Sequence, residues 1–162
     1  MSENVKISAA IVTASDSRTI GDDLSGDRLK LLLEASGAEV LYRSVVSDDH
    51  AAIREELLSL TERSDINLIF TTGGTGLGPR DCTPEATLSV IDREVPGICE
   101  AMRRDTVAKT PTAILSRSVA GIRNGTLIVN LPGSPRGVAE CFGVIAPILG
   151  HAVRMVSGDT EH

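Results

Sequence analysis

Short apolar runs alternate with longer amphipathic stretches along this chain. Three apolar runs, at residues 5–14, 40–46 and 66–72, predict buried strands. The two stretches between them place leucine and isoleucine at helical spacing, which predicts an amphipathic helix in each. Strands that alternate with helices in this way favour an α/β fold with a mostly parallel central sheet.

Turn and capping residues indicate where the predicted helices begin and end. Gly37 is suited to end the first helix, because glycine adopts the left-handed conformation that often follows a helix. The second helix is expected to begin at Asp48 or Asp49, since either carboxylate can accept a hydrogen bond from a free backbone N–H group. A third helix is predicted to begin at Thr83 as its N-cap, with Pro84 in the first turn.

The alternation of strands and helices continues through the second half of the chain. Asn124-Gly125 is a strong turn dipeptide, which predicts a turn between two strands. The sequence contains no repeat, linker or low-complexity stretch, so we expect residues 1–162 to form a single domain. The remaining predicted elements are a helix that follows the break at Pro96-Gly97 and ends near Val107, strands at 112–117 and 126–131 around a turn at 123–125, and a helix from about Pro135 to Met155.

The composition is that of an ordinary globular protein without the features of a nucleic-acid-binding protein. Hydrophobic residues make up 41% of the chain and charged residues 23%. The formal net charge is −6, there is no basic run, and aromatic residues are only 2%. Because nucleic-acid binding usually needs positive charge and often stacking rings, we expect no nucleic-acid partner.

The cysteines and histidines predict neither a disulfide framework nor a zinc site. The three cysteines include no Cys-x-x-Cys pair, and the three histidines lack the spacing of metal ligands. The first residues, MSENVKIS, contain no apolar signal region, and no apolar run approaches the roughly 20 residues of a membrane span. The expectation is a soluble cytoplasmic protein with no membrane partner.

The stretch TTGGTGLGPRDCTPEAT, residues 71–87, is the strongest candidate for a ligand-binding loop. A dinucleotide-binding fingerprint would need glycine where Pro79 stands, and the Gly-Lys-Ser/Thr of a P-loop does not follow. The pattern is consistent with a bend whose free backbone N–H groups face an anion. The alternative is a glycine-rich turn without a ligand.

Two further loops follow predicted strands and contain residues suited to an anion. In residues 130–137, a helix N-terminus offers free N–H groups to a phosphate, and Ser134 can cap the helix and also touch the anion. In the first loop, Ser15 and Asp16 leave a strand end and residues 23–26 enter a helix. Helix capping explains each of these loops equally well or better. All three loops are expected beyond the carboxyl ends of strands, where α/β sheets bind ligands.

Asp81 suggests a bridging cation, whereas Asp48 and Arg80 each have two interpretations. Asp81 lies in the glycine-rich part of the stretch 71–87, residues 73–82, which we call the glycine loop. A carboxylate there is repelled by a phosphate unless a cation such as Mg²⁺ bridges the two. Local sequence explains Asp48 more simply as a helix cap, and Arg80 either binds phosphate or faces solvent. The sequence shows no nucleophile–base pair, which favours phosphoryl or nucleotidyl transfer, in which the substrate carries its own nucleophile.

These residues resemble the signatures of the MogA/MoaB family of molybdenum-cofactor biosynthesis proteins. The longest match runs from TTGGTG through Pro79-Arg80-Asp81 to TPEAT, and the stretch from Leu131 to Pro135 is similar to a second signature. The resemblance covers nearly the whole chain. It also includes Asp23-x-Ser25-Gly26 after Ser15-Asp16, Leu115-Ser116-Arg117, and residues 92–97.

The resemblance implies a three-layer α/β sandwich that assembles as a homotrimer. It implies binding of molybdopterin, a pterin with a dithiolene and a terminal phosphate. It also implies that Mg²⁺-ATP adenylylates this phosphate and that pyrophosphate is released. The molybdate-inserting protein, which uses the product, is a candidate partner. The alternative is a non-catalytic member that only binds molybdopterin or forms the trimer.

The resemblance also assigns roles to individual residues. Asp48 and Asp81 match two acids needed for activity, and Asp81 is the expected Mg²⁺ ligand. This match weighs against the view that Asp48 is only a helix cap. The residues expected to contact substrate are Ser15, Asp16, Ser25, Gly26, Gly73, Gly74, Thr75, Gly76, Pro132, Gly133 and Ser134.

Overall fold

The computed structural model describes residues 5–159, in which strands and helices alternate as the sequence predicts. The strands are β1 (Ser8–Ala14), β2 (Glu39–Val46), β3 (Leu68–Thr72), β4 (Arg93–Glu94), β5 (Ala120–Arg123) and β6 (Thr126–Leu131). The helices are α1 (Leu24–Ala35), α2 (His50–Thr61), α3 (Thr83–Leu88), α4 (Pro96–Thr106) and α5 (Pro135–Val156).

One six-stranded sheet forms the centre of the fold, in the order β2-β1-β3-β6-β5-β4. The pairs β1–β2, β1–β3 and β3–β6 are parallel, whereas β5 pairs antiparallel with both β6 and β4. The predicted mostly parallel sheet is therefore confirmed. Because the four parallel strands run in one direction, their carboxyl ends meet at the same edge of the sheet.

Helices cover both faces of this sheet, so the three-layer arrangement is confirmed as well. Helices α1, α4 and α5 share one core with the sheet, and α2 and α3 share the other. Alternate strand residues contribute to the two cores: Ile11 and Phe70 belong to the first, Val12 and Ile69 to the second. Both faces of these strands are buried, which is why they appear in the sequence as continuous apolar runs.

The predicted strand at residues 112–117 is wrong, because Pro111–Leu115 form a short 3-10 helix instead. Proline suits the first turn of a helix, and Ile114 and Leu115 are both exposed, so the stretch has no inward and outward alternation. The turn at Asn124-Gly125 is confirmed, since both residues have positive φ angles, 47° and 72°. It joins β5 to β6.

Strands β4 and β5 are too short for the apolar pattern to predict. They have two and four residues, whereas a periodicity signal needs about four to eight. Both lie on the antiparallel side of the sheet, where β4 is the exposed edge. Helix α4 begins at Pro96, which confirms a break there, but the third helix does not extend to it, because α3 ends at Leu88 and β4 lies between them.

One predicted helix cap is confirmed, and another is wrong by one residue. Asp49, and not Asp48, caps α2, since its Oδ2 accepts a hydrogen bond from the backbone N–H of Ala52 at 2.9 Å. Cys82 occupies the N-cap position of α3, so the prediction of Thr83 as cap is wrong by one residue. The buried Thr83 hydroxyl has no hydrogen-bond partner within residues 5–159.

Helix α5 is long and apolar enough to cross a membrane by length and composition alone. Charged residues interrupt α5 at Arg136, Glu140 and Arg154, so the expectation that no apolar run approaches this length is not contradicted. One face of α5, including Val138, Phe142, Ile145 and Leu149, is buried against the sheet. Because the core helix of a globular protein passes the same test, this one helix is only a weak indication of a membrane span.

Candidate active site

Four loops meet at the carboxyl edge of the parallel strands, where they follow β1, β2, β3 and β6. The backbone N–H of Gly73 donates a hydrogen bond to Leu131 O at 3.2 Å, and that of Ser15 donates to Val46 O at 2.9 Å. The four loops contain all predicted site residues except the two at the start of α1. From the sequence we expected the three candidate loops at this edge, and the structure brings them together there.

The glycine loop depends on glycine at its first two positions. Gly73 and Gly74 have φ angles of 85° and 67°, a region that side-chain-bearing residues rarely adopt. A Cβ atom on Gly73 would lie 2.6 Å from Ala14 O, and one on Gly133 would lie 3.2 Å from Gly73 Cα. The glycines therefore allow three loop backbones to pack directly against one another.

Asp16 and Asp48 join the β1 and β2 loops through reciprocal hydrogen bonds. The Asp16 N–H donates to Asp48 Oδ2 at 3.1 Å, and the Asp48 N–H donates to Asp16 Oδ1 at 3.0 Å. Arg80 reaches both loops from the glycine loop: its Nε donates to Asp16 Oδ2 at 2.7 Å and its Nη2 to Asp48 O at 3.0 Å. Arg80 is exposed but paired, and it links three loops.

The carboxylates of Asp16 and Asp48 are in different electrostatic environments. The hydrogen bond from Arg80 lowers the pKa of Asp16 below its ordinary value of 3.8. Partial burial raises the pKa of Asp48, and the negative charges of Asp16 and Asp81 raise it further. Asp48 is therefore flanked by two other carboxylates, Asp16 and Asp81, and by the guanidinium of Arg80.

The Asp81 carboxylate turns back into the glycine loop. Its Oδ2 accepts a hydrogen bond from the Gly78 N–H at 2.9 Å and lies 3.0 Å from the point that a Cβ atom on Gly76 would occupy. The Gly78 N–H therefore holds the Asp81 carboxylate against the backbone of the glycine loop.

The acids of this edge fit a Mg²⁺ ion that is shared with a substrate. Within residues 5–159, no three His, Cys, Asp or Glu side chains converge in the manner of an all-protein metal site. Mg²⁺ commonly binds one or two carboxylates and completes its shell with water and substrate phosphate oxygens. Asp48 Oδ1 lies 3.4 Å from the point that a Cβ atom on Gly74 would occupy, and Asp81 Oδ2 lies 3.0 Å from the corresponding point on Gly76. Both carboxylates therefore lie against the glycine loop and offer the oxygen ligands of this smaller requirement.

A buried polar network joins β1, β3 and the start of α1. Asp23 is fully buried, and its Oδ2 accepts a hydrogen bond from Thr13 Oγ1 at 2.7 Å. Its Oδ1 accepts hydrogen bonds from Ser25 Oγ and the Gly26 N–H, both at 3.1 Å. The hydroxyls of Thr13 and Thr72 are 2.9 Å apart. Ser25 and Gly26 thus lie inside this network, and their contact with substrate stays a prediction.

Arg18 and Arg43 complete the network and were missed by the sequence reasoning. Arg43 pairs with the buried Asp23 at 3.2 Å, which compensates its charge. Arg18 Nη1 donates to Ser25 Oγ and to Gly133 O, both at 3.1 Å, and so connects the start of α1 to the loop after β6. The sequence signalled only Asp23, whose position before α1 is typical of a helix cap. No local pattern pointed to either arginine.

A cleft of about 380 Å³ opens beside residues 75–77 of the glycine loop. Its mostly apolar walls and its volume are typical of small-molecule sites. Ser134 lines it and also caps α5, because its Oγ accepts a hydrogen bond from the Gly137 N–H at 3.0 Å. The predicted residues Thr75, Gly76 and Pro132 line it too, together with Thr106, Thr110, Thr112, Leu115, Glu140 and Cys141, which the sequence reasoning missed.

These features define a three-layer α/β protein with a glycine-rich, acidic ligand-binding edge. The sequence profile of a family described as a probable molybdopterin binding domain matches residues 10–151. The chain belongs to this family of molybdenum-cofactor biosynthesis proteins, which confirms the resemblance found in the sequence.

Relatives cover most of the chain. The molybdopterin adenylyltransferase of Helicobacter pylori is 39% identical over 157 residues, which are 94% of this chain and 89% of that protein. Molybdenum cofactor biosynthesis protein B of Halalkalibacterium halodurans is 39% identical over 152 residues, 92% of this chain and 89% of that protein. The crystal structure of the molybdopterin biosynthesis enzyme MoaB of Thermus thermophilus has a TM-score of 0.86 and 43% identity, covering 94% of this chain and 97% of that one.

Proposed function

We propose that this protein is a molybdopterin adenylyltransferase, which transfers AMP from Mg²⁺-ATP to the terminal phosphate of molybdopterin and releases pyrophosphate. The observation that carries the proposal is the meeting of Asp16, Asp48 and Asp81 with the glycine loop at one edge of the sheet. Relatives named for this activity align with nearly the whole chain.

The proposed reaction needs no nucleophile from the protein. An oxygen of the molybdopterin phosphate attacks the α-phosphorus of ATP, and the bond between that phosphorus and the bridging oxygen of pyrophosphate breaks. Such a reaction depends on positioning and on stabilisation of negative charge. Asp48 and Asp81 would hold Mg²⁺, which supplies positive charge to the phosphate oxygens when it is bound.

The cleft is the proposed site for one of the two ring systems of the substrates. Thr75 and Gly76 belong both to the cleft and to the glycine loop. A ring in the cleft would therefore extend its phosphate along the loop towards Asp81. The capped N-terminus of α5, at Ser134, offers backbone N–H groups to an anion at the same place.

The proposal also covers the oligomeric state, the location and the partner of the protein. It works as a homotrimer, it is cytoplasmic, and it passes the adenylylated product to the molybdate-inserting protein. The outer surface of α5 supports the trimer, because the apolar Ile148 is 44% exposed there and would be covered by a neighbouring subunit.

A non-catalytic molybdopterin-binding protein is the second candidate. One observation favours it: the Asp81 carboxylate is already engaged by the Gly78 N–H, so the glycine loop holds its shape without a metal ion. A binding protein would need the cleft and the glycine loop but would not need Asp81 as a metal ligand.

The deciding experiment is an assay of pyrophosphate release from Mg²⁺-ATP with molybdopterin, on wild type and on Asp81→Ala. We expect Asp81→Ala to lower the rate by at least about 10²-fold and to leave molybdopterin binding in place, because the charge stabilisation and not the cleft is lost. Asp65→Ala is the matched control, since Asp65 is an exposed acid that pairs with Arg63 before β3, at the opposite end of that strand from the glycine loop. A wild type that binds molybdopterin but releases no pyrophosphate would establish the binding protein instead.

A further inference from the structure

Arg117, from a distant part of the sequence, makes three contacts with the glycine loop and one with α3. It lies between the 3-10 helix and β5. Its Nε donates to Gly76 O at 2.7 Å and its Nη2 to Asp81 O at 2.9 Å. Its Nη1 forms an ion pair with Glu85, and its backbone N–H donates to Thr75 O at 2.9 Å. One residue thus holds the loop at its beginning, at Asp81 and at the helix that follows.

These contacts fix the direction of two peptide groups in the loop. A trans peptide is planar, so its C=O and the next N–H point in opposite directions. The bonds from Arg117 to Gly76 O and Asp81 O therefore direct the N–H groups of Leu77 and Cys82 away from the guanidinium. Because guanidinium is a planar fork with five donors, lysine cannot reproduce this set of bonds.

Arg117 is itself held in place by a second arginine. Arg103 of α4 donates from Nη1 to Ser116 O at 3.2 Å and to Ser118 O at 3.3 Å, the carbonyl groups on either side of Arg117. The Arg117 side chain is 34% exposed, whereas that of Arg80 at the tip of the glycine loop is 66% exposed. The contacts therefore run from a packed helix through Arg117 to the loop.

We infer that Arg117 is a positioning residue, which sets the conformation of the glycine loop and through it the place of the Asp81 carboxylate. Arg117 contacts the carbonyl group of Asp81 and not its carboxylate, so it acts through Asp81. The effect on catalysis rests on the proposed function, whereas the effect on the loop does not.

The first test measures hydrogen exchange of the loop in Arg117→Gln and Arg117→Lys. We expect amide exchange in residues 73–83 to become at least about 10-fold faster in Arg117→Gln, with a smaller effect in Arg117→Lys, while exchange in β3 is unchanged. Arg123→Gln is the matched control. Arg123 is also a half-buried arginine that bonds to a backbone carbonyl, Val90 O at 3.2 Å, but it lies in the hairpin.

The second test measures pyrophosphate release by the same variants. We expect kcat to fall by about 10²-fold in Arg117→Gln, with the KM for molybdopterin changed less than about 3-fold, because the metal-binding acid is displaced while the cleft remains. Arg123→Gln should retain the wild-type kcat.

Two results would overturn the inference. One is unchanged exchange in residues 73–83 of folded Arg117→Gln. The other is faster exchange throughout the protein with a lower free energy of unfolding, which would make Arg117 a general structural residue. If wild type releases no pyrophosphate, the proposed function fails, but the exchange measurement still decides whether Arg117 positions the loop.

Discussion

Asp48 and Asp49 are adjacent in the sequence, but their carboxylates have different roles. Asp49 accepts a hydrogen bond from the Ala52 N–H and completes the start of α2. Asp48 instead bonds to the Asp16 N–H across the site, and its pKa is raised by partial burial and by neighbouring negative charge. The local sequence suited both residues equally as caps, and the structure shows that only Asp49 caps α2 while Asp48 joins two loops.

Asp48→Asn is expected to abolish pyrophosphate release without destabilising the fold. Because folding raises the Asp48 pKa above 3.8, the ionised carboxylate lowers the stability of wild type at neutral pH. Asparagine removes this cost, so stability at pH 7 should rise by up to about 1 kcal/mol, with the small size reflecting the exposure of the group. Below the ordinary pKa of 3.8 the carboxyl is protonated in both states, and the gain should vanish.

Asp49→Ala is the matched control for this prediction. It removes the cap of α2, so the free energy of unfolding should fall by about 1 kcal/mol while pyrophosphate release continues. Urea unfolding at pH 7 and near pH 3 measures both variants. Loss of stability in Asp48→Asn at pH 7 would show that the hydrogen bond to Asp16 outweighs the charge repulsion.

At the scale of elements, Asn130 holds β6, β3 and α3 together. Its Nδ2 donates to Thr71 Oγ1 and to Thr87 Oγ1, both at 2.9 Å, and its Oδ1 accepts from the Val119 N–H at 3.1 Å. Asn130 is fully buried in β6. It therefore fixes the helix that follows the glycine loop relative to the sheet.

Asn130→Ala is expected to lower the free energy of unfolding by about 3 kcal/mol, because it leaves buried polar groups without partners. The rate of pyrophosphate release should also fall, since α3 and the end of the glycine loop lose their attachment. Asn67→Ala is the control: Asn67 also bridges two chain segments, through the Ser8 N–H and Lys6 O, but at the other end of the sheet. Denaturant unfolding measures the loss of stability, and the assay, run at a temperature where both variants are folded, measures the rate of pyrophosphate release. Equal rates of release in Asn130→Ala and Asn67→Ala would contradict the role of Asn130.

At the scale of the whole molecule, the layer of α4 and α5 presents an apolar recess to solvent. The recess has a volume of about 450 Å³ and is lined mainly by apolar side chains, including Val95, Ile98, Val144 and Ile148. In the most apolar window of α5, only 33% of the residues are buried within this chain. Exposed apolar surface of this kind is commonly covered by another subunit.

Ile148→Glu is expected to weaken the proposed homotrimer, because it places a charge in the recess. Wild type should sediment with three times the mass of the 17.0 kDa chain, and Ile148→Glu with the mass of one chain. Leu88→Glu is the control, since Leu88 is similarly exposed, at 47% against 44%, but lies in the opposite layer. Trimers that persist in Ile148→Glu would place the interface elsewhere.

The sequence predicted most of the fold and part of the site. The long strands, the helices and the cap at Ser134 were predicted because their signals are local: apolar periodicity, a capping side chain, a turn dipeptide. The prediction of a strand at 112–117 was wrong, because a short apolar stretch fits a strand and a 3-10 helix equally well. The structure has the 3-10 helix, with Ile114 and Leu115 exposed. The exposed apolar side chains of α5 were not predicted, because the sequence alone does not show which side of a largely apolar helix faces the sheet.

By itself, the sequence determined the alternation of the long strands and helices, the glycine loop and the family. Only the tertiary structure decided which residues support that loop, because their hydrogen bonds join positions far apart in the chain. Arg117 bonds to Gly76 across 41 positions, and Asn130 to Thr71 across 59. Such pairs depend on the order β2-β1-β3-β6, which brings distant strand ends to one edge and which no local pattern specifies.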